Sequence, residues 1–372
     1  MTQAHDAPAP DSEAGSGGLL PALLEALDAL ALAGRRMHPP RLAEVAASVV
    51  PYRHPLAEAL AGLPDLDGAA TGPAAPERPA PVREHCVAAA ELILQAFDQL
   101  AAASDPPDVY RALRSGARAQ EALWPLAAVL PQVSRFFLPP ERRDDAELLA
   151  RLAAAAGARE EVGVIHASND REQRGGYSLY VPEYYDAQAQ WPLVVALHGG
   201  SGHGRDFLWS WLPAARAAGA LVISTTSRNR TWSLTRPDLD GELLLRMIED
   251  VTARYRIDRG RVLLTGMSDG GTFALLSGVL DTLPATHLAP IAASFRPALL
   301  ERAPEGRLEG LPIYLTHGVL DWMFPVQMAR DARDALRARG ARLEYREIAD
   351  LSHTYPDEEN PRILDWLLRP WE

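Results

Sequence analysis

The sequence predicts an α/β fold, a mostly parallel central sheet flanked by helices, preceded by an all-helical N-terminal region. Three observations carry that expectation. From residue 162 onward, short apolar runs alternate with helix-length segments, the pattern of strands joined by helical crossovers. Before residue 157 the chain shows helical spacing of Leu and Ala, broken by Pro-rich stretches. At 372 residues it is longer than one compact core and allows two domains, and its 47% hydrophobic residues suffice for a large interior.

The elements follow in order. Residues 1–18 are polar and rich in Ala, Pro, Ser and Gly, without a basic start or an apolar core, so they read as a disordered tail and not a signal peptide. The run Leu19 to Leu32 is interrupted by Glu25 and Asp28 and falls short of the roughly 20 apolar residues a membrane span needs. It is expected to be an amphipathic helix with Leu20, Leu23, Leu24, Leu27 and Leu30 on one face. Asp65 to Pro81, crowded with Pro, Gly and Ala, reads as a flexible loop or linker. His85 to Ala103 sets Ile93, Leu94, Phe97 and Leu100 on one helical face, and Asp144-Asp145 supplies a cap for a helix running to Ala156. The whole 19–157 region is read as a packing extension, a lid or a docking module, with homodimerisation through its helices as one expectation. A catalytic unit is expected over 160–372. It opens with Val162 to His166 and Tyr177 to Val181 as an antiparallel pair, followed by strands at Trp191 to Leu197 and Ala220 to Thr225.

The chemistry centres on Gly266-Met267-Ser268-Asp269-Gly270-Gly271, between the apolar run Val262-Leu263-Leu264 and the helix-like Thr272 to Leu276. A serine on so sharp a strand-to-helix turn is strained, and small residues two positions either side relieve the crowding. Two further strand-like runs supply partners. Leu311 to Leu315 leads to Asp321, and Leu343 to Ile348 leads to His353. The order Ser268, Asp321, His353 is the order in which a hydrolase triad is assembled from successive strand ends. A serine hydroxyl needs a neutral imidazole to take its proton, and the imidazolium needs a carboxylate to hold and balance it. Asp350 is the competing acid, but three residues before His353 it suits a local turn better.

For the oxyanion, the amide of Asp269 at a helix N-terminus is one expected donor. The other comes from the loop His198-Gly199-Gly200-Ser201-Gly202-His203-Gly204, with Gly200 first and Gly199 next, because glycines let the backbone approach a ligand. His198 and His203 also admit a metal-pair reading. No carboxylate or cysteine cluster joins them at ligand spacing, so no metal is expected. A phosphate-cradling loop is disfavoured because no Gly-Lys-Ser/Thr ending follows.

These pieces carry a resemblance. Leu197 to Gly200, Arg261 to Gly271, the His317-Gly318-x-x-Asp321 block and Ser352 to Pro356 make the segment from Val162 to Trp366 similar to the α/β-hydrolase superfamily. Its nearest likeness is to polyhydroxybutyrate-depolymerase-like, feruloyl-esterase-like and phospholipase/carboxylesterase proteins. The resemblance implies hydrolysis of carboxylic esters through an acyl-enzyme on Ser268, with no metal or organic cofactor. Two departures stand out. Asp269 occupies a position where relatives usually carry a small or amide residue, so a carboxylate sits beside the oxyanion. Secreted relatives tend to carry disulfides, whereas Cys86 is the only cysteine here and no intrachain bridge can form.

The substrate is expected to be a small-molecule ester. Ser227 to Trp232 is placed to overhang the nucleophile and Trp322 follows the acid. Trp232, Trp322 and Arg230 are therefore the expected substrate contacts, the arginine (with Arg228 beside it) meeting a carboxylate or phosphate. The formal charge of −12 argues against nucleic-acid and anionic-membrane partners, and all 37 basic residues are arginine. Cytoplasmic residence follows as the expectation. Two alternatives stay open: a peptidase of prolyl-oligopeptidase type, which shares the triad order, and a catalytically silent binding protein on the same fold.

Overall fold

The computed structural model describes residues 18–63, 80–155, 157, 159–235 and 238–370. Nearly all of the expected tail and most of the expected linker therefore lie outside the described residues. Among the described residues the first α-helices are α1 (Leu19–Arg35), α2 (Leu42–Ala61), α3 (Ala80–Ala101), α4 (Pro106–Leu123), α5 (Pro131–Phe136) and α6 (Ala146–Ala154). The face read from the first leucines is real: Leu23, Leu27 and Leu30 are buried, while Leu20 and Leu24 lie half-buried at its edges. Asp145 caps α6 as expected, its carboxylate accepting from the Leu148 amide at 3.0 Å.

The sheet that follows has eight strands: β1 (Gly163–Ala167), β2 (Tyr177–Val181), β3 (Trp191–Leu197), β4 (Leu221–Thr225), β5 (Ile257–Met267), β6 (His287–Ile291), β7 (Pro312–Gly318) and β8 (Arg342–Ile348). Their spatial order is β1-β2-β4-β3-β5-β6-β7-β8. The β1–β2 and β2–β4 pairs are antiparallel and every other pair is parallel. Between strands run α7 (Gly204–Ala218), α8 (Gly241–Arg254), α9 (Asp269–Val279) and α10 (Val326–Ala338), and α11 (Asn360–Leu368) closes the chain.

Side-chain alternation sorts the core into two faces. Val194 and Ala196 of β3 pack on one side with Leu208, Trp211 and Leu212 of α7 and Ile363, Leu364 and Leu367 of α11. Leu193, Val195 and Leu197 point the other way, onto Leu244 and Val251 of α8, Phe273 and Leu275 of α9, and Leu336 of α10. The first of these two cores continues without a break into the N-terminal helices through Leu30, Ile93, Phe97, Val109 and Phe137. At the junction Trp124 packs edge-on against Phe137 (5.0 Å between ring centres) and Tyr180 (6.0 Å). Arg216 of α7, almost fully buried, is held there by Glu183 at 2.8 Å and by the Ser134 carbonyl at 2.6 Å. Charge pairing and backbone bonding of this kind are what make a buried guanidinium tolerable.

Candidate active site

The turn at Ser268 is as tight as the motif requires. Ser268 takes φ 55 and ψ −118 between the end of β5 and the start of α9, a region L-residues rarely occupy. A Cβ on Gly266 would fall 2.6 Å from the Gly270 carbonyl carbon, and one on Gly270 would fall 2.4 Å from the carbonyl oxygens of Leu197 and His198. Neither position admits a side chain, so β5, β3 and α9 close around the serine as they do. The Ser268 amide donates to Ile291 of β6 at 2.9 Å, and its carbonyl accepts from the Thr272 amide at 2.8 Å.

Strand ends bring the partners together. His353 Nε2 lies 2.9 Å from Ser268 Oγ, and its Nδ1 lies 2.8 Å from Asp321 Oδ2. All three residues are buried. Asp321 sits three residues past β7, where its Oδ1 accepts from the amides of Met323 (2.9 Å) and Phe324 (2.8 Å). Burial pushes the Asp321 carboxyl up, but the His353 hydrogen bond and charge, the Phe324 amide and His317 together outweigh it and hold the carboxyl below its ordinary range. Asp350 plays no part in this relay. It is surface-exposed and pairs with Arg35 of α1 at 3.2 Å.

On the opposite side of the serine, the glycine loop leans on the turn. A Cβ on Gly199 would stand 3.7 Å from Ser268 Cβ, and one on Gly200 only 2.7 Å from Asp269 Oδ2. The amides of Ser201 and Gly202 are engaged by the carbonyls of Arg230 (2.6 Å) and Gly199 (3.0 Å). Asp269 itself pairs with the Thr231 hydroxyl through Oδ2, so its carboxylate is met by a hydroxyl and not by an arginine.

His198 and His203 are structural. His198 is fully buried, its Nδ1 2.6 Å from the Gly199 carbonyl oxygen, while its Nε2 accepts from the Ser227 amide at 3.2 Å. Burial drives it down to about 3, so it is neutral at physiological pH. His203 caps α7, its Nδ1 accepting from the Arg205 amide at 3.1 Å and its Nε2 donating to the Gln173 carbonyl at 2.9 Å. Among the described residues no group of three or more His, Cys, Asp or Glu is arranged to hold a metal ion.

One expected substrate contact needs correction. Trp232 is 2% exposed, donates Nε1–H to the His198 carbonyl at 2.7 Å and packs on Phe273, leaving no face for a ligand. A tryptophan followed by a polar, Asp-rich turn gives no hint that it will tuck under the loop instead of lining it. Trp322 is 44% exposed with its ring centre 6.3 Å from that of His353, and Arg230 is exposed beside Ser201. Several further residues at the site are not signalled by the sequence. Phe324 stacks edge-on to His353 at 5.4 Å, and its carbonyl lies 2.8 Å from His317 Nε2. Arg174 bonds the Gly202 carbonyl at 3.2 Å and the Ser227 hydroxyl at 2.7 Å. Tyr110, from α4, donates to the main-chain carbonyl of His353 at 2.7 Å. His317 stands inside the His-Gly-x-x-Asp block and is legible there. Arg174 and Tyr110 carry no local motif.

A sheet of this order with a strained serine turn at the end of a central strand has the α/β-hydrolase fold. Residues 242–368, about a third of the chain and all three residues of the relay, match the family described as Phospholipase/Carboxylesterase. The fold is that of the α/β-hydrolases, and this third of the chain is similar to the phospholipase/carboxylesterase family. No curated protein is a significant match. Solved structures similar to it include a thermostable esterase (22% identity, 55% of this chain, TM-score 0.44), of which the chain spans 61%. Another is the fluorophosphonate-binding serine hydrolase FphF of Staphylococcus aureus (14% identity, 56% of this chain and 97% of that one, TM-score 0.46). A third is the esterase PE8 (19% identity, 55% and 98%, TM-score 0.41). Among the described residues, no helix is long and apolar enough to cross a membrane.

Proposed function

We propose that the chain hydrolyses small-molecule carboxylic esters through an acyl-enzyme on Ser268. The observation that carries this reading is the continuous relay from Ser268 Oγ through His353 to Asp321, with both links under 3 Å. Ser268 Oγ attacks the ester carbonyl while its proton passes to His353 Nε2, and Asp321 balances the imidazolium. The carbonyl oxygen, now negative, is received by the Asp269 amide at the start of α9 and by an amide of Gly200 or Gly199. Collapse breaks the bond to the alcohol, which leaves with the proton from His353. Water then repeats the sequence, giving its proton to His353 and releasing the carboxylic acid and free Ser268.

Trp322 and Phe324, both packed edge-on to the His353 ring, favour an apolar acyl or aryl group on that side, and the exposed Arg230 stands across the loop as a contact for a polar end. A cytoplasmic setting fits a chain whose single cysteine, Cys86, is buried and free. A propeller-bearing peptidase finds no support, because the described residues before β1 form helices where blades would need strands.

The test is fluorophosphonate labelling together with turnover of a panel of p-nitrophenyl esters of increasing chain length. The native chain is expected to label and to turn over esters, and Ser268→Ala to do neither while keeping its fold by circular dichroism. Near-native turnover by the alanine variant would sink the mechanism, and an unlabelled native chain would favour the silent binding protein.

A further inference from the structure

The segment from Asp350 to Glu358, which carries His353, leaves β8 at the edge of the sheet, where among the described strands β8 pairs with β7 alone. Its inner side is tied to the loop before Asp321 by the Leu320 amide on the Leu351 carbonyl at 2.9 Å. Its outer side is tied to the N-terminal helices. Arg35, at the end of α1, reaches Glu358 at 2.5 Å and Asp350 at 3.2 Å, and its own carbonyl accepts from the Thr354 hydroxyl at 3.2 Å. His38 Nδ1 lies 3.2 Å from Ser352 Oγ. Tyr110 bonds the carbonyl of His353 directly.

The same helix α4 is anchored at its far end. Three turns beyond Tyr110, Glu121 accepts from Arg205 of α7 at 2.6 Å and from Arg171 at 2.5 Å. Arg205 follows His203, the cap that ends the glycine loop. Eleven residues of helix, a span of about 16 Å, thus join the base-bearing segment to the helix that begins where the oxyanion loop ends.

From this we infer that α4 is a strut, with α1 as its brace, that sets His353 at its working distance from Ser268, and that Tyr110 is the principal positioning residue. The inference rests on the acyl-enzyme reading. A base on an edge-strand loop must be held to within a fraction of an ångström, because small misplacements of a proton-transfer partner cost large factors in rate. Burial, and then the nearby Asp321 carboxylate, raise the Tyr110 hydroxyl well above its ordinary range, so it keeps its proton and stays a donor throughout the working pH range. Helices α1 and α4 then position the base, and neither a lid nor a removable extension describes them.

The experiment compares full-length variants. Tyr110→Phe, which keeps the ring and removes the donor, is expected to lower kcat and the fluorophosphonate labelling rate together by about tenfold with KM nearly unchanged. Its melting temperature is expected to stay within about 5 °C of the native value, the loss of one hydrogen bond in a chain this size. Arg35→Gln is the second arm, with a fall in kcat of about threefold that Arg35→Lys partly restores by keeping the charge. Arg53→Ala is the control: it breaks an exposed ion pair with Asp98 inside the same helical region and is expected to leave kcat unchanged. Native kcat and labelling in both Tyr110→Phe and Arg35→Gln would overturn the strut, as would kcat losses in all three variants that simply follow their losses of melting temperature. An unlabelled native chain would instead overturn the acyl-enzyme reading beneath it.

Discussion

The two sides of Ser268 are held by different parts of the molecule. On the side of the proposed oxyanion donors, the glycine loop is fixed by residues close to it in the sheet region: Arg174 on the Gly202 carbonyl, Arg230 on the Ser201 amide, Trp232 on the His198 carbonyl. On the side of the proposed base, the His353 segment takes its outer contacts from Arg35, His38 and Tyr110, more than 240 residues away in sequence. The oxyanion side is thus built largely by the strand-and-loop unit itself, whereas the base side is completed by a second layer of helices. Variants can therefore be sorted by which side they disturb first, with α4 as the link between the two.

The largest expected effect is on the base side. Asp321→Asn keeps the shape of the acid but offers His353 an amide, so the imidazole loses both its orienting acceptor and the balance for its charge. A fall in kcat of about ten-thousandfold is expected, with little change in KM. Measuring steady-state kinetics on one ester suffices, and a loss below about tenfold would return Asp350 to consideration. On the oxyanion side, Gly200→Ala drives a methyl to 2.7 Å from Asp269 Oδ2, a carboxylate pinned by Thr231. The loop or the carboxylate must move, and a loss in kcat of about tenfold is expected from a displaced oxyanion donor. The Tyr110→Phe and Asp321→Asn losses should not add, because both act through His353, while Gly200→Ala should combine independently with Tyr110→Phe.

The same contrast explains what is legible in the sequence. The serine turn, the acid after β7 and the histidine after β8 each sit at the end of an apolar run, so chain order alone proposes their convergence. Asp145 as a cap and the leucine face of α1 follow equally local rules. The β6 strand does not announce itself, because Pro290 interrupts a five-residue run that begins with His287, a pattern that reads as a turn. Trp232 misleads because one exposed-looking loop residue cannot reveal that it will stack under His198. Tyr110, Arg35 and Arg174 are illegible for a simpler reason. Their partners are backbone carbonyls and side chains brought near only by the packing of α4, α1 and the β1–β2 loop, and no spacing rule reaches that far.

Acid should separate the two sides by stability. Burial holds His198 down at about 3, and it also lowers His203, which caps α7 where the glycine loop ends. A histidine depressed on folding favours the native state fully above its unfolded value of about 6.5, and that advantage drains away as pH falls toward the folded value. Asp321, depressed below 3.8, works in the other window: its contribution is complete above that value and fades only as pH falls through its lower folded one. On the base side burial also lowers His317, but the Phe324 carbonyl and the Asp321 carboxylate pull it back. Between pH 6.5 and 4 the native chain is therefore expected to lose melting temperature, with His198 alone contributing at most ~1.4 kcal/mol per pH unit. His198→Asn should flatten that slope, whatever it does to the absolute value. An unchanged slope would mean that His198 is not the group that acid titrates.

The smallest expected effect probes the charge beside the oxyanion. Asp269 lies next to Ser268 with its Oδ2 on the Thr231 hydroxyl and 2.7 Å from where a Cβ on Gly200 would stand, so its negative charge sits against the glycine loop. Asp269→Asn preserves the shape, leaves an oxygen to accept from Thr231 and removes the charge. If the carboxylate opposes the developing oxyanion, kcat should rise about threefold, because a full charge half-exposed near the surface is weakened by solvent but not abolished. The rise should appear in kcat and not in KM, since the opposing charge is felt only as the carbonyl oxygen becomes negative. A fall of similar size would mean that the carboxylate instead holds Thr231, and with it the Arg230 to Trp232 segment, against the glycine loop. In that case Thr231→Val should reproduce the loss, and the oxyanion side would be seen to depend on one hydrogen bond much as the base side depends on Tyr110.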